Sequence, residues 1–225
     1  DTMEINVWGS AEFMGGSYNE GEERWRLKIR RGDGSERILH PRHVVMATGV
    51  SALPVMPDLP GQKDFQGELL HSSAYISGTK WKGGKGIVLG TGNSGHDVAH
   101  DLNASGVDTK IVQRSSTLII SLKEAQRVYE LYQQGAPIED CDLVATASPY
   151  PLLVKGYQMT AEACKNADAK LLEGLAARGF RLDNGDPDDT GYQMKYLRRG
   201  GGYYFNVGAS DLIVEGKIKL LHHQE

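Results

Sequence analysis

Apolar and polar residues alternate in the first part of the chain, and this alternation predicts strands. Within 23–30, apolar residues stand at every second position, namely Trp25, Leu27 and Ile29. This pattern is expected for a strand with one covered face. The glycine-containing run 31–35 predicts a hairpin turn, and 36–39 is the predicted returning strand. A further short strand is predicted at 4–8. Together these elements predict a small antiparallel meander.

An apolar run follows the meander and predicts a buried strand over 43–47, ending before Gly49. Prolines recur in 50–61, so this stretch cannot form a regular helix and is a candidate connector. We therefore predict a domain boundary here, with a first domain over 1–52 and a second over 53–225.

The most informative pattern is the glycine-rich turn within 86–95. A short apolar strand runs into Gly90, Gly92 and Gly95, and a helical pattern follows at 96–103. This order is what dinucleotide binding requires, because the glycines permit a tight turn, close approach of the phosphates and close helix–strand packing. The helix N-terminus then presents free N–H groups to the pyrophosphate.

The residues after this helix extend the pattern to a β-α-β unit of the expected ~30 residues. Gly106 ends the helix and 109–112 predicts a buried strand. Where an NAD-binding unit carries a carboxylate, this chain has Arg114 followed by Ser115 and Ser116. A guanidinium can bind a 2′-phosphate that a carboxylate would repel, so we predict NADPH rather than NADH. The alternative is a glycine turn in an ordinary α/β protein, with a solvated arginine.

The candidate NADPH-binding residues follow from these two stretches. They are Gly90, Thr91, Gly92, Asn93, Ser94, Gly95, Arg114, Ser115 and Ser116.

The second half of the chain changes to helical periodicity, at 123–133 and 159–178. We predict a helical insertion at about 121–180, a place for an element that caps a site or admits substrate. An acidic run at 183–191 predicts an exposed loop. The basic glycine run 198–202 has arginines that either contact dinucleotide phosphates or are solvated.

Composition narrows the class of protein. The chain has 225 residues, 40% hydrophobic and 24% charged, which suits one or two globular domains. A net charge of −4 disfavours nucleic acid as the main partner. No apolar run approaches the ~18 residues of a membrane span, and no signal-peptide pattern is present. With two cysteines and no C-x-x-C pair, we expect a cytoplasmic protein.

A metal site is not predicted. His96 and His100 have the helical i, i+4 spacing that metal ligands use, but no cluster supplies the remaining ligands.

Three motifs together resemble the flavin-containing monooxygenases. Residues 65–75 fit the identifying pattern F-x-G-x-x-x-H-x-x-x-[F/Y], upstream of a G-x-G-N-S-G turn at 90–95. Further upstream, 47–49 is similar to the A-T-G linker between the FAD and NADPH domains of that family. Tyr75 stands where Baeyer–Villiger enzymes have Trp, which favours the N/S-oxygenating or YUCCA-like branch.

The resemblance implies an α/β fold of the two-dinucleotide-binding flavoprotein type. A Rossmann-like NADPH domain, with a parallel sheet flanked by helices, would be attached to a partial FAD domain that contributes the antiparallel meander. The family's FAD-binding G-x-G-x-x-G is absent from this sequence, so we expect an incomplete FAD site and a chain that is a fragment. Ala47, Thr48, Gly49 and His71 are implied to lie near the interface of FAD and NADPH. The alternative is that His71 bonds to backbone and fixes the linker, and we favour that interpretation.

The family's activity implies that NADPH reduces FAD and that a hydroperoxyflavin then gives one oxygen atom of O₂ to a small organic substrate. No catalytic side chain is assigned. Two alternatives stay open, an NADPH-dependent flavoprotein reductase and a non-catalytic NADP(H)-binding fragment. The expected partners are a small-molecule substrate and O₂, and homodimerisation is open.

Overall fold

In a computed structural model of the protein, residues 6–49, 51 and 53–222 are described. The chain divides into two compact units, 1–52 and 53–225. Their assignment as an FAD domain and an NADPH domain stays a prediction.

The first unit contains a three-stranded antiparallel sheet of β1 (Ala11–Asn19), β2 (Arg24–Arg31) and β3 (Glu36–Leu39) in that order. The predicted hairpin at 31–35 is confirmed, since the Arg31 N–H donates to the Ser35 carbonyl at 2.8 Å.

The first strand of the meander differs from the prediction. Residues 6–8 form no strand, and 1–5 lie outside the described residues, whereas β1 spans Ala11–Asn19. A β-bulge interrupts its register between Phe13 and Gly15. Two consecutive glycines at this bulge hide the alternation that would have marked β1 in the sequence.

The predicted buried strand at 43–47 is wrong for this structure. These residues form no strand, and the Val45 and Met46 side chains are 86% and 64% exposed. An apolar run forms a strand only where a neighbour completes its hydrogen-bond ladder. Among the described residues of the first unit, the three strands of the meander pair only with one another.

The second unit contains five strands and eight α-helices among its described residues. The strands are β4 (Lys85–Leu89), β5 (Asp108–Gln113), β6 (Leu118–Ser121), β7 (Tyr203–Asn206) and β8 (Lys219–His222). The helices are α1 (Asn93–Ala104), α2 (Leu122–Ala125), α3 (Glu130–Gln133), α4 (Ile138–Ala147), α5 (Tyr150–Ala167), α6 (Ala169–Ala177), α7 (Gly191–Arg199) and α8 (Ala209–Val214).

Two parallel sheets organise this unit. One has the order β4-β5-β8 and the other pairs β6 with β7. The connection β4-α1-β5 is the predicted β-α-β unit, and the α/β fold class with a parallel and an antiparallel sheet is confirmed. Because the strands within each sheet are parallel, the carboxyl ends of β4 and β5 meet at one edge.

The core of this unit lies where α1, α6 and α8 contact the strands. Its fully buried side chains include Ile111 of β5, Leu175 of α6, Tyr204 of β7 and Ile213 of α8. Burying each such side chain contributes roughly 1.5–3 kcal/mol, which holds the helices against the sheet.

The predicted helical insertion is present, but its helices are divided differently. The predicted helix at 159–178 is two helices that meet at Asp168, whose carboxylate accepts the Ser121 N–H at 2.7 Å. The stretch between Pro137 and Pro149 is itself a helix, α4, with Pro137 as its N-cap residue. None of the helices in the described residues has the length and apolar character that a bilayer crossing needs.

The acidic segment 183–191 is more ordered than the predicted exposed loop. Its first residue, Asp183, forms an ion pair with Lys195 at 2.5 Å, and both side chains are at most 5% exposed. Arg198 forms a bidentate pair with Asp188, with N···O distances of 2.8 and 2.7 Å. Arg198 is therefore bound within the protein, which neither interpretation of the basic glycine run predicted.

Candidate functional site

The loop after β4 has the backbone conformation that the glycine motif requires. Gly90 has φ +111°, a region that glycine adopts without strain. Its N–H donates to the Val112 carbonyl of β5 at 3.0 Å, so the turn starts directly at the sheet edge. Helix α1 begins after Gly92, and no side chain caps it. Its first N–H groups are therefore available to a ligand.

Gly95 allows the helix to lie directly on the turn. A Cβ at this position would be 2.2 Å from the carbonyl oxygen of Gly90. This distance is too short for two non-bonded atoms, so the backbone would have to move. The contact is the close helix–strand packing expected for the third glycine of the motif.

Two polar side chains of the turn hold it to other strands. The Thr91 and Thr117 hydroxyls form a buried hydrogen bond of 2.6 Å. Asn93 Oδ1 accepts the Phe205 N–H of β7 at 3.0 Å. These side chains therefore support the turn from inside the protein, while Ser94 is exposed.

His96 lies beneath the turn and is fully buried. Its ring stacks on Tyr204 with centroids 3.9 Å apart, and Nδ1 is 3.2 Å from the Gly92 carbonyl oxygen. Burial lowers the pKa of His96 to about 4, so the ring is neutral at pH 7. The Nδ1–H tautomer is the one that can donate to Gly92. In the part of the chain that the structure describes, no group of three or more His, Cys, Asp or Glu side chains could hold a metal ion.

Two arginines meet at the carboxyl end of β5. The buried Gln113 amide bonds both backbone groups of Arg181: Nε2 donates to its carbonyl at 2.9 Å, and Oε1 accepts its N–H at 2.8 Å. Arg181 Nη1 is 3.4 Å from the Arg114 carbonyl oxygen, and both arginines are exposed. Of the two predicted serines, Ser115 is exposed and Ser116 half-buried.

Sequence reasoning missed Arg181. It is 67 residues from Arg114, and a glutamine amide that bonds a distant backbone leaves no pattern in the sequence.

The segment that carries the identifying pattern 65–75 is joined to α1 by hydrogen bonds to Asp101. The Tyr75 hydroxyl donates to Asp101 Oδ2 at 2.5 Å, and the Gly78 N–H donates to the same oxygen at 2.7 Å. The Tyr75 ring also stacks on Trp81, with centroids 5.8 Å apart. These hydrogen bonds, first that of Tyr75, lower the pKa of Asp101 below its ordinary value.

His71 has a local backbone role. Its Nδ1 accepts the Ser73 N–H at 3.1 Å and caps a 3₁₀ turn over Ser72–Ala74. His71 is thus bonded to local backbone, as the favoured interpretation has it, and its role in fixing the linker stays a prediction.

Residues 33–134 match a family model described as pyridine nucleotide-disulphide oxidoreductase. The chain is 40% identical over 96 residues to the indole-3-pyruvate monooxygenase YUCCA1 of Oryza sativa subsp. japonica. It is 35% identical over 122 residues to the probable indole-3-pyruvate monooxygenase YUCCA3 of Arabidopsis thaliana. These similarities support the predicted resemblance to the flavin-containing monooxygenases.

These matches cover part of each protein. They include 43% and 52% of this chain, and 23% and 28% of the two relatives. The chain thus spans about a quarter of the length of the curated relatives that it matches.

Solved structures of flavin monooxygenases share the fold over most of the chain. A cyclohexanone monooxygenase mutant from Rhodococcus sp. Phi1, bound to NADP⁺, covers 94% of this chain and 46% of its own, with a TM-score of 0.55. The match to a complex of OTEMO with FAD and NADP covers 94% of this chain and 47% of the OTEMO chain, with a TM-score of 0.56. Both are 14% identical to this chain, so the likeness concerns the fold.

The remaining predicted residues of the family linker lie in the first unit. Ala47, Thr48 and Gly49 are exposed, and Gly49 has φ +72°. His71 belongs to the second unit. Their place near a flavin and a nicotinamide stays a prediction.

We expect Gly95→Ala to destabilise the second unit although alanine favours helices. The methyl group must displace the Gly90 carbonyl, and overpacking of this kind costs about 1–3 kcal/mol. Gly156→Ala in α5 is the matched control, because nothing lies within 4 Å of its Cβ position, and it should stabilise by about 0.5–1 kcal/mol. Urea unfolding of both variants measures the difference, and equal effects would contradict the contact.

The Asp101 hydrogen bonds predict an acid-dependent part of the stability. The pKa of Asp101 is lower in the folded than in the unfolded protein. Its contribution to the free energy of unfolding is therefore complete above the unfolded pKa of ~3.9 and is lost as the pH falls through the folded pKa. Tyr75→Phe removes one donor, so its free energy of unfolding should depend less steeply on pH in this acidic range. Asp58→Asn, an exposed carboxyl, is the control and should keep the wild-type slope. Urea unfolding at several pH values tests this, and a wild-type slope in Tyr75→Phe would exclude the role.

Proposed function

We propose that residues 53–225 are the NADPH-binding part of an FAD-dependent monooxygenase, which uses NADPH to reduce flavin and inserts one oxygen atom of O₂ into a small organic substrate. The observation that carries the proposal is the turn from Gly90 to Gly95, which joins β4 to α1 at the sheet edge with its helix N-terminus uncapped.

The turn suits a pyrophosphate in both shape and charge. Gly92 has no side chain, and the nearest atom to its Cβ position is the Tyr203 carbonyl at 4.0 Å, so phosphate oxygens can approach the backbone. The positive end of the α1 dipole attracts the anion. The neutral, backbone-bonded His96 fixes the first turn of the helix from below.

The end of β5 suits the 2′-phosphate of NADPH. Gly90 bonds to Val112 of β5, so the turn and the residues after β5 adjoin each other. Arg114 and Arg181 add two positive charges there, and Ser115 adds a hydroxyl. Guanidinium groups bind phosphates through paired hydrogen bonds, whereas the carboxylate of an NAD site would repel this phosphate.

The oxygenase part of the proposal comes from the relatives. Two of them bear the name indole-3-pyruvate monooxygenase, and solved neighbours of this fold bind FAD and NADP. When bound, the flavin supplies the electrons that activate O₂, and the protein positions nicotinamide against it. For this protein we propose FAD as the second cofactor and a small molecule as substrate.

The cysteines of this chain give no support to the alternative of a thiol-dependent reductase. The chain has two cysteines, Cys141 and Cys164, and both are free and buried. Burial also raises the pKa of the Cys164 thiol, so it is a poor nucleophile. Disulfide exchange needs an accessible thiolate, which neither cysteine offers. A non-catalytic NADP(H)-binding fragment would instead bind NADPH without either oxygenase or reductase activity.

Arg114→Ala should weaken NADPH binding and leave NADH binding unchanged, because NADH lacks the 2′-phosphate. Loss of one charge-assisted contact costs about 1.5–3 kcal/mol, roughly tenfold or more in Kd. Arg181→Ala should act in the same direction. Lys85→Ala removes an exposed cation from the opposite end of β4 and should change neither affinity. Titration of both nucleotides into the three variants tests this, and equal wild-type affinity for NADPH and NADH would refute the assignment.

The intact protein supplied with FAD and NADPH should consume O₂ and convert a simple sulfide or amine to its oxide. Oxygen-electrode traces and product mass spectrometry measure both results. Dye reduction without an oxygenated product would favour the reductase, and NADPH binding without either activity would favour the binding role.

A further inference from the structure

A cavity of about 240 Å³ lies within the second unit, and its lining includes none of the residues assigned to NADPH. Its walls come from β6, from α5 and from the segment that leads into α7. Apolar side chains line most of it, including Leu118, Ile120, Ala161, Leu172 and Leu182. The cavity therefore favours the apolar body of a ligand.

Two amides add hydrogen-bonding capacity to this lining. Asn184 and Gln193 both line the cavity, and each carries a donor and an acceptor. In the described residues, neither side-chain amide forms a hydrogen bond of its own, and both are half-buried. Both donors and acceptors are therefore available to a ligand.

The charged groups around the cavity are already paired. Glu124 forms an ion pair with Arg127, and Asp183 pairs with Lys195. Lys165 also lines the cavity, but it is 54% exposed and lies 3.9 Å from Glu162. An anionic ligand would meet two buried carboxylates, and a cationic one would find both already neutralised.

We propose that this cavity binds a small neutral molecule with an apolar body and one amide or hydroxyl group. Its volume lies between the ~150 Å³ that holds benzene and the ~300 Å³ at which pockets for drug-sized ligands begin. The ligand thus has on the order of ten non-hydrogen atoms. The site is distinct from the dinucleotide turn and does not depend on the proposed function.

Benzamide is a suitable probe, since it joins a flat ring to a neutral amide. Saturation-transfer NMR on the full chain should show benzamide binding, and benzoate should bind at least tenfold more weakly. Thr160→Leu places a larger apolar side chain in the lining and should weaken benzamide binding at least tenfold. Thr146→Leu is the matched control: both hydroxyls bond the carbonyl four residues earlier in a helix, but Thr146 is exposed on α4.

Thermal unfolding and NADPH titration of both variants check that they fold and keep the dinucleotide site. Gln193→Ala removes one amide without filling the cavity and should weaken benzamide relative to toluene, with Gln133→Ala on α3 as control. Absence of benzamide binding to the wild type would overturn the proposal. Equal benzamide affinity in the wild type and a folded Thr160→Leu variant would do so as well, whatever the result with NADPH.

Discussion

The contact between Gly95 and the Gly90 carbonyl is the constraint on which the rest of the second unit depends. It sets the first turn of α1 against the end of β4, so that the N–H groups of the helix open at the sheet edge. A side chain at Gly95 would push the helix away from the strand and move those N–H groups with it. The proposed phosphate-binding geometry and the packing of α1 on β4 therefore rest on the same pair of glycines.

The turn is also held from the other sheet. Thr91 bonds Thr117 just before β6, and Asn93 bonds Phe205 within β7. His96 adds a stacking contact with Tyr204 of the same strand. Residues at the two ends of the helical insertion, next to β6 and within β7, thus contact the turn between β4 and α1.

Local patterns could be predicted from the sequence, whereas long-range pairings could not. The alternation before β3 and the order β4-α1-β5 depend on nearby residues, and both agree with the structure. The failure at 43–47 has the opposite cause, since a strand exists only with a partner that periodicity does not reveal. The buried Asp183–Lys195 pair and the position of Arg181 depend likewise on residues brought together by the fold. In the candidate site, the glycines and Arg114 could be found from spacing, and Arg181 could not.

The way Gln113 holds Arg181 has a consequence for ionic strength. A neutral, buried amide fixes the arginine backbone through two hydrogen bonds, and dissolved ions screen such contacts little. The guanidinium itself is exposed, and its attraction to a phosphate weakens as salt is added. Added salt should therefore loosen a bound phosphate while the arginine stays in place. The position of the Arg181 charge is thus insensitive to salt, whereas the strength of its attraction to a phosphate is not.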